Sequence, residues 1–583
     1  MSKKRKIAII GLGPRGGFAL EQFVLELAQR NNLQNIHIAL FEQSGNYGNG
    51  QVYDLKQDSS NWININERIL ELEERPKITT KEVTISSFPS YHKWRNIDFE
   101  NLSIKAEDSY PPRSTIGQFL AQRFQSLIDP LINAEIARLH KEKVTEVLLL
   151  KDGKLKIRTD KNTYEYFDEV LLTIGHQPTK TSKQIKEWKE YVAKNDVPTL
   201  FTSPYPTEDY LNHNKLTKNS SIGIRGFGLS MIDIARAIGQ KFGKFINLNP
   251  ETKACSYQLN DESNLQLLPF SLDGSPPVPK PLNAEIDFWF KPRPEELSKF
   301  EKHVGNRTIQ KEAKSTDFIL DAFAPIAARI FFDLPKSKYQ KNHNQVDIEN
   351  LIKQWLKDQN YKHELITPTD QNALKSMREF VGMATGKRPI SLDFCIGQVW
   401  RHFQPTIYKQ LSHSACNDEV IAEVVALDES TKRYSFGPPV ESIQQLIALA
   451  EANVLNLEVV KDPEINLTKT GWELAVHNKK HIANIIIDSV LDGPKIKDVN
   501  SPLITNLLDD ELIQVVHDEL GVVTDDHAYL ISKNEEQTIP IALLGRLAKG
   551  SVVGVDAILE CFGERPKNWA KKAAGNCVEE RAH

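Results

Sequence analysis

The chain has 583 residues, 40% of them hydrophobic and 26% charged, and its 73 Lys and Arg against 77 Asp and Glu give a formal net charge of −4. That length is too great for a single core and implies several domains. The near-neutral charge offers no attraction for nucleic acid or a membrane surface, and no apolar run approaches the roughly 20 residues that a bilayer-spanning helix needs.

The basic stretch Lys3 to Lys6 precedes an apolar run too short for a signal peptide, so a solvated tail is expected before the first strand. Lys6 to Ile10 then runs into Gly11-Leu12-Gly13-Pro14-Arg15-Gly16, and a second apolar run, Ile36 to Phe41, ends at Glu42, 26 residues after Gly16. This is the layout of a dinucleotide-binding βαβ unit. Gly11 permits the tight turn, Gly13 admits a pyrophosphate to the backbone, and Gly16 lets the helix pack against the sheet. Leu20, Val24, Leu27 and Ala28 form a helical stripe, so the turn opens a helix whose positive end faces the phosphates. Glu42 is placed to accept hydrogen bonds from a ribose diol.

Residues 45 to 140 form a long Asn-, Ser- and Pro-rich excursion, followed by strands at Val144 to Leu150, Leu155 to Arg158 and Val170 to Ile174, the last reaching Gly175 and His176. A second nucleotide-like unit follows. Ser221 to Arg225 reads as a strand, Gly226-Phe227-Gly228-Leu229-Ser230 as a turn, and Met231 to Gln240 as a helix. Met231 stands where a third glycine would be, and the next expected strand, Lys244 to Leu248, ends in Asn249-Pro250 without an acid. Residues 269 to 294 are proline-heavy and read as a semi-rigid connector. About 295 to 415 is polar with helical period, and strand-like runs return at Ala483 to Ile487, Ala528 to Ser532 and Ile539 to Leu544.

The five cysteines are scattered without C-x-x-C spacing, which fits a reducing, cytoplasmic compartment. His413 and Cys416 make an H-x-x-C pair, but two ligands do not make a zinc site and no metal is expected.

Taken together, the turn at 11 to 16, Pro111-Pro112-Arg113-Ser114-Thr115-Ile116-Gly117, Thr173-Ile174-Gly175-His176, and Ile224 to Ser230 with Ile232-Asp233 resemble a family of bacterial FAD/NAD(P)-binding proteins related to flavin monooxygenases, including those that hydroxylate amino groups. The resemblance extends more thinly to Gly545-Arg546 and to Gly550 through Asp556. It implies an α/β fold with two Rossmann-like dinucleotide-binding domains and a mostly helical insertion. The expected division is a discontinuous FAD-binding domain at 1-200 and 480-583, an NAD(P)-binding-like domain at 201-268, and a connector with helical insertion at 269-480.

The resemblance further implies that the first turn, with Pro14 and Arg15, holds the FAD pyrophosphate, that Glu42 holds the adenosine ribose, and that Gly175 is the crossover to the second domain. The wider flavoprotein pattern has a Gly-Asp pair at the ribityl chain where this sequence has Gly545-Arg546; Asp556 either replaces that aspartate or caps a helix. Asn64 and Asn66 are candidates to reach a flavin, against an Asn-rich loop that satisfies its own backbone. Arg113 is a candidate for FAD phosphate or a substrate carboxylate. Gly226, Gly228 and Ser230 are candidates for the nicotinamide nucleotide, and Arg225, Lys241 and Lys244 for its phosphates, which favours NADPH modestly over NADH.

No catalytic acid and base are legible, as is common where cofactors carry the chemistry. The expected function is an FAD- and NAD(P)H-dependent oxidoreductase, a monooxygenase acting on a small polar molecule, with amino-bearing molecules among the candidates and oligomeric state left open. The alternatives are a flavin-binding redox sensor or scaffold and an oxygen-independent reductase or dehydrogenase.

Overall fold

Two parallel sheets organise the chain, and each is built from strands that are distant in sequence. The computed structural model describes residues 4–338, 343–491, 493, 495–533 and 538–579. The first sheet has the order Tyr529–Ile531, Thr538–Leu543, Glu169–Leu172, Arg5–Ile10, Ile36–Phe41, Ala137–His140. All its neighbours are parallel except the edge pair formed by Tyr529–Ile531 and Thr538–Leu543. Alternate residues of its strands enter opposite layers, as the two-residue period of a strand requires. Ile7, Ile9, Ile38 and Leu40 pack on one side with Phe23, Val24 and Trp569, whereas Ala8, Ile10, Ala39 and Phe41 pack on the other with Leu155, Ile157 and Leu503. The helix Glu564–Glu579 lies against the helix Pro14–Gln29, with Phe23 and Trp569 rings 5.4 Å apart.

The basic start is not a free tail throughout. Arg5 already belongs to the first strand, and its guanidinium is 3.2 Å from the buried carboxylate of Glu169.

The second sheet has the order Thr199–Phe201, Ile485–Asp488, Ser221–Arg225, Gln266–Phe270, all parallel. Two expectations are corrected here. Lys244 to Leu248 does not continue this sheet: Gly243–Asn249 pairs antiparallel with Ala254–Leu259 in a separate ribbon. The parallel neighbour of Ser221–Arg225 is Gln266–Phe270, whose Pro269 is tolerated because the strand lies at the sheet edge. Residues 199–200 and 485–488, assigned from sequence to the FAD-binding domain, belong with Phe201 to the second sheet.

Nine helices lie between Ala284 and Glu451 among the described residues. They share a core with one face of the second sheet, where Ile222, Ile224, Leu267, Ile485 and Ile487 meet Trp355, Trp400, Phe323 and Leu446. The insertion is therefore fused to the second unit. The opposite face of that sheet packs on Trp188 and Trp472. No helix among the described residues is long and apolar enough to cross a membrane.

Candidate functional site

The first turn behaves as its glycine spacing demands. Gly11 has φ +92°, and a Cβ there would lie 2.5 Å from the Thr173 carbonyl oxygen. A Cβ on Gly16 would overlap the Gly11 carbonyl oxygen and come within 2.6 Å of Thr173 Oγ1. Gly13 differs: its φ and ψ of −71° and −170° are ordinary extended values, and the nearest atom to an added Cβ is Gly50 Cα at 3.8 Å. Two glycines are thus required by packing, and the third leaves the start of the helix approachable. Pro14 occupies the first helical turn, where a missing N–H costs nothing.

Glu42 sits where the second strand ends. Its carboxylate accepts from the Leu12 amide at 3.0 Å and from the Ser44 amide and hydroxyl at 2.9 and 2.7 Å. The acid is held by the turn it serves.

The C-terminal segment returns to this turn. Leu543 pairs with Leu172, and the Leu544 amide donates to the Leu172 carbonyl at 2.9 Å. Gly545 has φ +120°, and a Cβ on it would come within 2.7 Å of Arg15 Nη1. Arg15 Nη2 donates to the Val555 carbonyl at 3.2 Å. Behind Arg15, burial pushes the Glu560 carboxyl up to about 7 against the pull of Arg15 and Arg565, and burial beside Arg15 lowers Arg565 to about 9.

The second unit repeats the hydrogen bonds that hold the first glycine of the turn. Gly11 N donates to the Phe41 carbonyl at 2.8 Å, and Gly226 N donates to the Phe270 carbonyl at 2.8 Å. Thr173 Oγ1 donates to the Ile10 carbonyl at 3.3 Å as well as to the Gly11 carbonyl at 2.5 Å, and Ser489 Oγ donates to the carbonyl of Arg225, the counterpart of Ile10, at 2.7 Å. Gly226 has φ +108° and a Cβ there would press on Ser489 Oγ at 2.6 Å, while Gly228 has nothing within 4 Å of an added Cβ and opens the helix Leu229–Phe242. Ser230 is buried in the first turn of that helix. Met231 in place of the third glycine is fully buried in the core.

Several polar candidates are occupied by other partners. Arg113 pairs with Asp233 at 3.0 Å, and Tyr205 donates to the same oxygen of Asp233 at 2.5 Å while its ring lies 4.8 Å from the guanidinium carbon. Burial raises the Asp233 carboxyl, with Arg113 and Tyr205 acting against it. Arg113 is thus a clamp between the excursion and the second unit. Beside it, Arg236 lies 3.7 Å over the Trp62 ring and donates to the Ser60 carbonyl at 2.6 Å. Sequence reasoning missed Tyr205 and Arg236, which no local pattern marks.

Asn64 donates to the Phe436 carbonyl at 3.0 Å, and Asn66 donates to Asp108 at 2.8 Å and caps the turn Glu67–Ile69. Arg225 pairs with Asp488 on the adjacent strand at 3.0 Å, and Lys241 donates to the Leu211 carbonyl. Asp556 starts no helix. It accepts from Arg546 at 3.0 Å, Lys432 at 2.5 Å and Lys549 at 3.2 Å. Burial pushes its carboxyl up, but Lys549, Lys432 and Arg546 outweigh this and hold it well below the usual carboxylate range. Arg546 also contacts His176 Nδ1 at 2.6 Å. Gly175, with φ +64° and open space around it, leads toward the second unit through a bridge between Thr179 and Val499.

A parallel sheet whose first strand runs through a glycine turn into a helix, with an acid at the end of the neighbouring strand, defines a dinucleotide-binding domain. Residues 8–177 match the family described as FAD-NAD(P)-binding, and this part of the chain is an FAD/NAD(P)-binding domain. No curated protein matches the sequence of the chain. Among solved structures the chain is similar to an ε-caprolactone-bound cyclohexanone monooxygenase, at 10% identity and TM-score 0.45 over 100% of this chain and 89% of that one. It is also similar to L-lysine 6-monooxygenase from Pseudomonas syringae, at 12% identity and TM-score 0.45 over 99% of this chain and 100% of that one.

Proposed function

We propose that the protein is an FAD- and NAD(P)H-dependent oxidoreductase, and specifically a monooxygenase that acts on a small polar molecule. The observation that carries this reading is the presence, in one chain, of two equivalent turns at the carboxyl ends of two parallel sheets. Ligands of open α/β sheets bind at such edges. One turn suffices for one dinucleotide, and two turns suit a flavin with a nicotinamide partner.

The residues present fit both groups. Gly13 and Gly228 leave open space at helix starts whose amides and dipole favour phosphate. Glu42 is oriented by three donors for a ribose, Arg15 adds a cation at the first turn, and Ser230 lies at the second. FAD, when bound, supplies hydride acceptance from reduced nicotinamide and onward electron delivery. The chain's own part is to hold the turns rigid, through Thr173 and Ser489, and to fix the second unit against the first through Arg113 and Asp233. Oxygen use rests on the sequence resemblance to flavin monooxygenases.

The test is anaerobic rapid mixing of FAD-loaded protein with NADH and with NADPH. Bleaching of the flavin is expected, and Gly228→Val should slow it while FAD stays bound, because the two turns serve different ligands. No bleaching with either nucleotide in the presence of candidate substrates would leave the sensor reading. Bleaching without a hydroxylated product in oxygen would reduce the reading to an oxygen-independent reductase.

A further inference from the structure

The equivalence of the two turns locates the second site's ribose-reading position. In the first unit, the residue after Phe41 is Glu42. In the second, Phe270 takes the place of Phe41, since each carbonyl accepts from the first glycine amide of its turn at 2.8 Å. The residue after Phe270 is Ser271. Where the first unit presents a carboxylate, the second presents a hydroxyl, and that hydroxyl donates to Asp273 at 3.1 Å.

A cleft of about 630 Å3 opens at this strand end. Leu272, Asp273 and Ser275 line it together with Lys461, whose backbone pairs with Ser271, and Ser430 and Arg433 of the insertion helix Asp418–Ser435 line it as well. Two acids also line the cleft, but both are engaged. Asp273 accepts from Ser271 Oγ and from the Ser275 amide at 3.1 Å, and Glu429 is paired with Lys432 and Lys549. The cations are less engaged. Arg433 donates from Nε to the Pro276 carbonyl at 2.9 Å and rests 5.7 Å from the Phe380 ring centre, which leaves both terminal nitrogens of its fork without a hydrogen-bond acceptor among the described residues. Lys461 makes no side-chain hydrogen bond among them.

We propose that this cleft holds the adenosine end of the nicotinamide nucleotide, with Arg433 and Lys461 pairing its 2′-phosphate. An acid at the ribose position selects a free 2′-hydroxyl, whereas an uncharged residue beside a guanidinium fork admits a 2′-phosphate. The helical insertion thereby gains a role, as the outer wall of the dinucleotide site. The inference rests on the nicotinamide nucleotide occupying the second turn, and it replaces Lys241 and Lys244, of which the first lies in the last turn of the helix Leu229–Phe242 and the second in the hairpin strand Gly243–Asn249.

The test is calorimetric titration of the FAD-loaded full chain with adenosine 2′,5′-bisphosphate and with adenosine 5′-monophosphate. The bisphosphate should bind at least about tenfold tighter, and Lys461→Ala and Arg433→Lys should each weaken it by about tenfold while leaving the monophosphate unchanged. Ser271→Glu, which gives the second turn the acid of the first, should reverse the preference. Equal affinities in the wild type, or a bisphosphate affinity indifferent to both cation variants, would overturn the proposal and leave Asp273 as reader of a ribose diol. Bisphosphate binding without flavin reduction by NADPH would retain the cleft and reject the oxidoreductase reading. Flavin reduction with equal affinities would reject the cleft alone.

Discussion

Gly13 and Gly16 stand three residues apart in the same turn, yet the structure assigns them opposite consequences on substitution. A methyl on Gly16 meets two fixed groups, the Gly11 carbonyl and Thr173 Oγ1, which are themselves hydrogen bonded at 2.5 Å. Relief requires the helix to move off the sheet. Overpacking costs about 1–3 kcal/mol and the strained hydrogen bond about 1 kcal/mol more, so Gly16→Ala should cost roughly 2–4 kcal/mol. At roughly 2–4 °C per kcal/mol for a domain of this size, the melting temperature should fall by about 4–16 °C. Gly13 has ordinary backbone angles and a Cβ added to it would lie 3.8 Å from its nearest neighbour, so Gly13→Val should cost less than about 1 kcal/mol in the absence of ligand. It should instead remove FAD: losing two charge-assisted bonds to the pyrophosphate, at about 1.5 kcal/mol each, weakens binding about a hundredfold. The assay pairs thermal melting of flavin-stripped protein, which removes the stabilisation that ligand itself confers, with quantitation of flavin per chain after reconstitution. A folded Gly13→Val variant with full flavin, or a Gly16→Ala variant that melts with the wild type, would refute the assignment of the two glycines.

Two further outcomes are expected. Arg113→Ala leaves the buried Asp233 carboxylate with Tyr205 in place of a cation, and the loss should be about 3–5 kcal/mol in denaturant unfolding, partly recovered by adding Asp233→Asn; a loss below about 0.5 kcal/mol would show that the pair is not a clamp. Glu560 has a folded pKa of about 7 against an ordinary value of 4.5, so its contribution is fully present below pH 4.5 and is lost as pH rises through 7. The shift corresponds to about 3 kcal/mol, and the stability of Glu560→Gln relative to the wild type should therefore climb between pH 5 and 8; a difference that stays flat across that range would contradict the buried carboxyl.

The first turn was legible in the sequence because every constraint on it is local. Gly11 needs a positive φ, Gly16 needs a missing Cβ against its own turn, and the helical stripe from Leu20 to Ala28 follows from a 3.6-residue period. Glu42 could be placed because little more than one helix, Pro14–Gln29, separates its strand from the turn. Tertiary structure alone decided which strand lies beside the second turn. That strand begins at Gln266, beyond a hairpin that occupies Gly243 to Leu259, and nothing in the periodicity of either says which one pairs with Ser221–Arg225. The partners of the polar candidates were not legible for the same reason. Arg113, Arg225, Asn64 and Asp556 carry side chains that pair with whatever arrives beside them, and Asp233, Asp488, Phe436 and Lys432 arrive from 120, 263, 372 and 124 positions away. Backbone conformation is set by neighbours in the chain, whereas the partner of a buried charge is set by which distant segment burial forces against it, because a charge removed from water must be paired there.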